Sequence, residues 1–279
     1  MESLLVPTDF SDTALHAAKY ACMLGNQMHS KRIILYHAYQ TVIPATDLPI
    51  YPTRDLEQFK QESLRSLQEW SHHVTPFLSG MDMIIKTSDD TLPVAVNALC
   101  HKERVSLVIM GITGKSQFEN VIIGNNAIKV LESSEFPLLL VPPQAPLRDV
   151  KNAIFTTDLE NVHDTIPLQR LDTLLHALNA RLWILNVAPP DKHPSRSSEL
   201  SDLHLLLDSY KPVYHFTSDT DIVQGIIHFA HEKEDALIIL APKKRGIFYQ
   251  LFHQSITKAL AYRVTTPIIA LPPKKAASA

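Results

Sequence analysis

The sequence predicts an α/β protein made of two diverged copies of one unit, each an open parallel sheet with helices on both faces. Three observations carry that prediction. The first is an internal repeat, clearest at two proline pairs: residues 136–143 read FPLLLVPP and 266–273 read TPIIALPP, an offset of 130. At the same offset Thr87-Ser88-Asp89 falls on Thr217-Ser218-Asp219, and Leu107-Val108-Ile109-Met110 falls on Leu237-Ile238-Ile239-Leu240. The second is the alternation of short continuous apolar runs with helical patterns, the mark of βαβ units whose strands are buried on both faces. The third is a glycine-bearing loop between a strand and a helix.

Near the start of each copy, VPTDFSD (6–12) resembles FTTDLEN (155–161) at an offset of 149, so the second copy is shorter by 19 residues. The deletion falls between its second and third strands, where a Pro/Ser-rich stretch (189–198) replaces a long loop and helix.

In copy one, residues 3–7 read as a strand, and Ser11 or Asp12 caps a helix running to about Gln27. Then follow a strand at 32–38, a loop at 44–52, a long amphipathic helix at 55–75 and a strand at 83–86. A helix at 92–101, a strand at 107–110, a helix at 124–131 and a strand at 138–141 complete the copy. Copy two predicts strands near 153–156, 182–187, 213–216, 237–240 and 268–271, with helices near 163–178, 199–207, 222–232 and 254–262. The stretch 142–150, with three prolines, reads as the linker, giving domains at 1–144 and 145–279.

Composition narrows the function classes. The 279 residues suit two ordinary domains, 45% are hydrophobic and 20% charged, and the formal net charge is −3. That charge argues against a nucleic-acid footprint or a polybasic membrane anchor. Cys22 and Cys100 sit in apolar helical patterns and read as buried thiols in a reducing compartment. The first residues lack the pattern of a signal peptide, and no apolar run has a membrane-spanning length, so the expected location is cytoplasmic.

The most specific signal is Gly111-Ile-Thr-Gly114, then nine residues, then Gly124-Asn125-Asn126. The motif follows a predicted strand and opens a helix. Gly111 and Gly114 are expected to turn the backbone with positive φ and let it approach a ligand. Gly124 would bring bare amides to a helix N-terminus, an anion site, with Asn125 and Asn126 as side-chain donors. Asp9 after the first strand and Gly111 after the fourth would share the carboxyl edge of the sheet, where ligands of open α/β sheets bind.

This G-x2-G-x9-G spacing, with PTD closing the first strand, resembles the universal stress protein family. The likeness spans the first copy through VPTDFSDTALHAA, LYHA, MGITGKSQFENVIIGNNAIKVL and FPLLLVPP. It implies two tandem Rossmann-like domains, each a five-stranded parallel sheet of order 3-2-1-4-5. It also implies pairing of the copies through their last strands as a pseudo-dimer, with a further homodimer left open. It implies an ATP or AMP ligand, with or without Mg. Asp9 would contact the adenine or ribose, Pro7 and Thr8 would line the base, and Ala38 would cover the adenine edge. Met110, Gly111, Thr113 and Gly114 would hold the ribose and first phosphates, and Gly124, Asn125, Asn126 and Ala127 the distal ones. The family has Ser or Thr after the third glycine; Asn125 stands there instead, which favours a mono- or diphosphate over a triphosphate.

Copy two departs further: Gly111 becomes Ala241, Gly114 becomes Lys244 and Gly124 becomes Gln254, while Asp158 and Ser255 remain. Side chains there would block the backbone approach. Lys243, Lys244 and Arg245 could bind an anion by side chain, or form a solvated loop, which is the commoner use of a short charge run.

The other conspicuous residues have plainer readings. The fourteen histidines match no zinc spacing, and adjacent His72 and His73 would point about 100° apart on a helix. A GxSxG elbow and the GK[ST] ending of a P-loop are both missing from the sequence. Leu56, Phe59, Leu64, Leu67 and Trp70 read as a packing stripe. Asp89 and Asp90 read as the N-cap of the helix at 92. The expectation is an adenine-nucleotide-binding protein with a sensing or signalling role in stress response and no catalytic residues. The alternative is a nucleotide-free scaffold of the same fold, and a slow ATP hydrolase or adenylate-transferring enzyme is the third reading, disfavoured because no clear general base stands beside the loop.

Overall fold

Runs of Val, Ile and Leu form the strands because they bury both faces at once. In the computed structural model, which describes residues 1–39, 56–112, 125–190, 198–241 and 266–272, the strands of the first copy are β1 (Ser3–Pro7), β2 (Arg32–Ala38), β3 (Asp82–Ser88), β4 (Val105–Gly111) and β5 (Leu138–Val141). Those of the second are β6 (Asn152–Thr156), β7 (Arg181–Ala188), β8 (Val213–Ser218), β9 (Ala236–Leu240) and β10 (Ile268–Ala270). All ten lie in one sheet of order β3-β2-β1-β4-β5-β10-β9-β6-β7-β8. Each half runs 3-2-1-4-5 with parallel pairing, as expected.

The halves meet at β5 and β10, which pair antiparallel with Ile269 opposite Leu139. Both strands are short, fully buried and run into proline at Pro142 and Pro272, which ends the pairing.

The described helices are α1 (Asp12–Gln27), α2 (Leu56–Ser71), α3 (Leu92–Lys102), α4 (Asn125–Ser133), α5 (Val162–Thr165), α6 (Leu168–Leu178), α7 (Ser198–Leu207) and α8 (Ile222–His231). One face of the sheet carries a continuous core that passes from α1, Trp70 and Leu139 through Leu271 to α6 and Leu207. On the other face α3 and α4 pack over β1, β2, β4 and β5, while α8 packs over the second half in a separate cluster.

Helix α1 lies close on the sheet because its inner face is small: Ala14, Ala17, Ala18, Ala21 and Gly25 are all buried. Cys22 and Cys100 are both fully buried, and burial pushes each thiol up to about 12.

Two expectations are corrected. The helix expected at 163–178 is two helices, because Pro167 cannot donate into a continuous ladder and Ile166 is extended. Neither Asp89 nor Asp90 caps α3: Thr91 is the N-cap, without a side-chain bond, and Asp90 instead accepts from the Ser88 hydroxyl at 3.1 Å. The stretch 142–150, expected as a linker, is anchored at two points. Ala145 and Val150 are buried, His16 Nε2 donates to the Ala145 carbonyl, and Gln27 bonds both the N–H and the C=O of Val150. The Gln27 amide also donates to the Leu178 carbonyl, tying the end of α1 to the end of α6. The expected loop at 44–52 and helix at 254–262 lie outside the described residues.

Candidate functional site

The turn that leaves β1 is built by its own side chains. Thr8, 7% exposed, donates its N–H to Tyr36 O, while its hydroxyl accepts from Phe10 N at 2.9 Å. Phe10 is thereby held at φ 64, in the left-handed region. Asp9 Oδ1 accepts from Ser11 N at 3.1 Å and from the Ser11 hydroxyl at 2.5 Å. That hydroxyl in turn accepts from Ala14 N, so Ser11 is the N-cap of α1. The carboxylate of exposed Asp9 is thus fixed through one oxygen, and no described residue hydrogen-bonds to the other.

A cleft of about 950 Å³ opens beside this turn, at the carboxyl ends of β1, β2 and β4. The chain leaves β1 to build β2 and β3 on one side, then crosses to β4 on the other, so the cleft stands where strand order reverses. Pro7, Thr8, Asp9 and Ala38 form one wall. Met110 and Gly111 form the second, with Asn126 and Ala127 of α4 beyond them. Eight of the sequence-named residues therefore share one cavity. Thr113, Gly114 and Gly124 lie outside the described residues, and Asn125 is described only as the first residue of α4.

Gly111 does not serve as expected. It is the last residue of β4, paired with Val141, and the only glycine with positive φ among the described residues is Gly80. Gly111 is needed for a close approach of another kind: a Cβ there would stand 2.5 Å from the Thr13 carbonyl oxygen in the first turn of α1. The glycine lets α1 settle over β4, and the cleft forms along that junction.

Residues that the sequence did not assign to the ligand also line the cleft. Ser11, Thr13, His37, Tyr39, Thr91 and Lys129 are among them. A serine or threonine hydroxyl at a helix start is ordinary capping chemistry, and Lys129 is an exposed helix residue, so neither carries a signal in sequence. His37 had one: it stands within LYHA, one residue from Ala38. Its Nδ1 lies 2.8 Å from the Thr8 carbonyl oxygen, and its ring centroid 4.4 Å from that of Phe10. Tyr36, one strand position earlier, faces the opposite side; burial raises its phenol above the ordinary value, and its hydroxyl pairs with Ser88 at 2.9 Å.

The corresponding turn of copy two repeats these bonds. Thr157 takes the place of Thr8, with its hydroxyl accepting from Leu159 N at 3.1 Å, and Asp158 accepts from Glu160 N at 3.1 Å. Leu159 has φ 57. Asn186 takes the place of His37 and donates to the Thr157 carbonyl at 2.9 Å. Ala241, however, replaces Gly111.

Among the described residues no cluster of His, Cys, Asp and Glu could hold a metal ion, and no helix is long and apolar enough to cross a membrane.

Comparison with known proteins places this geometry. A curated universal stress protein of Methanocaldococcus jannaschii is 27% identical over 152 residues, covering 50% of this chain and 81% of that protein. A universal stress protein from Archaeoglobus fulgidus shares the fold with a TM-score of 0.68 at 14% identity, over 98% of this chain and 97% of that one. A functionally unknown protein from Pseudomonas aeruginosa PAO1 does so with a TM-score of 0.61 at 13% identity, over 97% and 92%. The family model for the universal stress protein family matches residues 1–142, which hold all of the cleft, and the chain belongs to that family.

Proposed function

We propose that the chain binds an adenine nucleotide in the cleft of its first copy and acts as a sensing or signalling protein in stress response, without catalysis. The observation that carries this reading is the convergence of Pro7, Thr8, Asp9, Ala38, Met110, Gly111, Asn126 and Ala127 on one cavity at the reversal of strand order. The cavity is large enough for a nucleotide. Asp9, held by Ser11 on one oxygen, keeps the other for a ribose hydroxyl or a base amine. The start of α4 and the exposed Lys129 offer partial and full positive charge to phosphates. ATP and AMP both fit this reading, and Mg would ride on the phosphates, since the described residues offer it no ligand cluster.

In the same reading residues 1–144 and 145–279 are two domains joined as an intramolecular pseudo-dimer through β5 and β10, in the cytoplasm. The second domain lacks the three motif glycines and supports the first without binding nucleotide. The test is to denature the purified protein and identify any released small molecule by absorbance and mass, then to titrate the stripped protein with ATP and AMP. An adenine nucleotide recovered or bound near stoichiometrically supports the reading. No nucleotide released and no binding of either would leave the scaffold reading in its place.

A further inference from the structure

His37 and Asn186 occupy the same position of the two copies and make the same hydrogen bond, each to the carbonyl of the threonine in the turn. The bond fixes the strand end against the turn, and Asn186 achieves it while 4% exposed, buried in its surroundings. A histidine is therefore not needed for the fold. What His37 has beyond Asn186 is a second ring nitrogen, and His37 is one of the residues that border the cleft.

The state of that nitrogen follows from the first. A backbone carbonyl can only accept, so Nδ1 carries a proton, and in the neutral form of the ring Nε2 is an acceptor. Phe10 packs against the ring at 4.4 Å between centroids and is itself held by Trp70 at 6.3 Å, which fixes the ring's plane. No described residue hydrogen-bonds to Nε2.

We propose that His37 reads the base in this cleft, its Nε2 accepting a hydrogen bond from the exocyclic amine of a 6-aminopurine. A 6-oxopurine would turn a carbonyl oxygen toward the same lone pair and be rejected. The inference rests on the nucleotide reading above and adds the group that selects the base. A polar site that matches a substrate N–H rejects an analogue lacking it far more strongly than an apolar pocket rejects a change of shape.

The experiment compares ATP with ITP, in which the 6-amine becomes a carbonyl and N1 gains a proton, on wild type, His37→Asn and His37→Gln, with thermal melts beside the titrations. His37→Asn copies the residue of the second copy. It keeps the bond to Thr8 and removes the acceptor at Nε2. His37→Gln extends an amide to about where Nε2 stands. Wild type should prefer ATP by roughly tenfold or more, the size expected for one unmatched hydrogen bond. His37→Asn should melt like wild type and bind the two nucleotides within about twofold of each other. His37→Gln should recover part of the preference, and does so as a binding readout even if His37→Asn proves unstable. Equal binding of ATP and ITP by wild type, or an undiminished preference in folded His37→Asn, overturns the inference and leaves the nucleotide reading standing. Failure of wild type to bind either nucleotide overturns both.

Discussion

The turns after β1 and β6 are duplicates down to single hydrogen bonds, and yet the cleft described here borders the first. Thr8 and Thr157, Asp9 and Asp158, and the left-handed Phe10 and Leu159 make the same local structure. The copies diverge immediately afterwards. Ser11 caps a 16-residue helix, whereas Glu160 leads into the four-residue α5 and a break at Pro167. Gly111 admits the first turn of α1 over β4, whereas Ala241 stands at that strand end in the second copy. The start of α8 is closed by Asp221, which accepts from Val223 N and Gln224 N, while Thr91 makes no side-chain cap bond at the start of α3 beside the cleft. A Thr-Asp turn is thus a folding device first. An aspartate retained in the second copy is explained by that turn, and on the proposed reading it marks no second site.

Exchanging residues between the copies should break the comparison at its most sensitive point first. Gly111→Ala places a methyl 2.5 Å from a backbone oxygen, which cannot move aside as a side chain could. It should cost about 2–3 kcal/mol in urea denaturation and weaken nucleotide binding by roughly tenfold or more as α1 is displaced. The reverse change, Ala241→Gly, should cost at most about 1 kcal/mol, from backbone entropy alone. Equal costs for the two would remove the close approach as the distinction between the copies.

Asp9→Ala and Asp158→Ala sharpen it. Both remove the same turn acceptor, so both should lose about 1 kcal/mol of stability. Only Asp9→Ala should weaken ATP, by roughly tenfold, with little change for pyrophosphate.

The smallest expected effect is at the outer edge of copy one. Lys86 on β3 lies 2.5 Å from Glu103, and this hydrogen bond, the largest cause, holds the Glu103 carboxyl below its ordinary 4.5. The pair's stabilisation is complete above that ordinary value and is lost as pH falls through the lower, folded one. Phe216 stands at the matching place on β8, without a charge. Glu103→Gln should cost about 0.5 kcal/mol at neutral pH, with the difference from wild type vanishing in acid; a difference that persists at low pH would mean packing, not charge.

Much of the fold was legible because strand-length apolar runs and a repeated Pro-Pro ending are local signals. The 3-2-1-4-5 order and the antiparallel meeting of residues near Val141 and Leu271 follow from the family likeness and the repeat together. The cleft was legible as far as its backbone-bearing residues, such as Asp9, Ala38 and Gly111. What escaped was long-range or side-chain-specific. Nothing in the linker's three prolines shows that Gln27, 123 positions away, will bond both polar groups of Val150. Gly111 was expected to turn and instead makes room, since sequence marks a glycine but not which of its two uses applies. Pro167 was present to be read, and a run of apolar helical spacing around it masked the break.

The asymmetry is tested most directly by calorimetric titration of the full chain with ATP. The account predicts one site per chain, weakened by Asp9→Ala and unchanged by Asp158→Ala. Two equal sites, or one site that Asp158→Ala weakens, would contradict it.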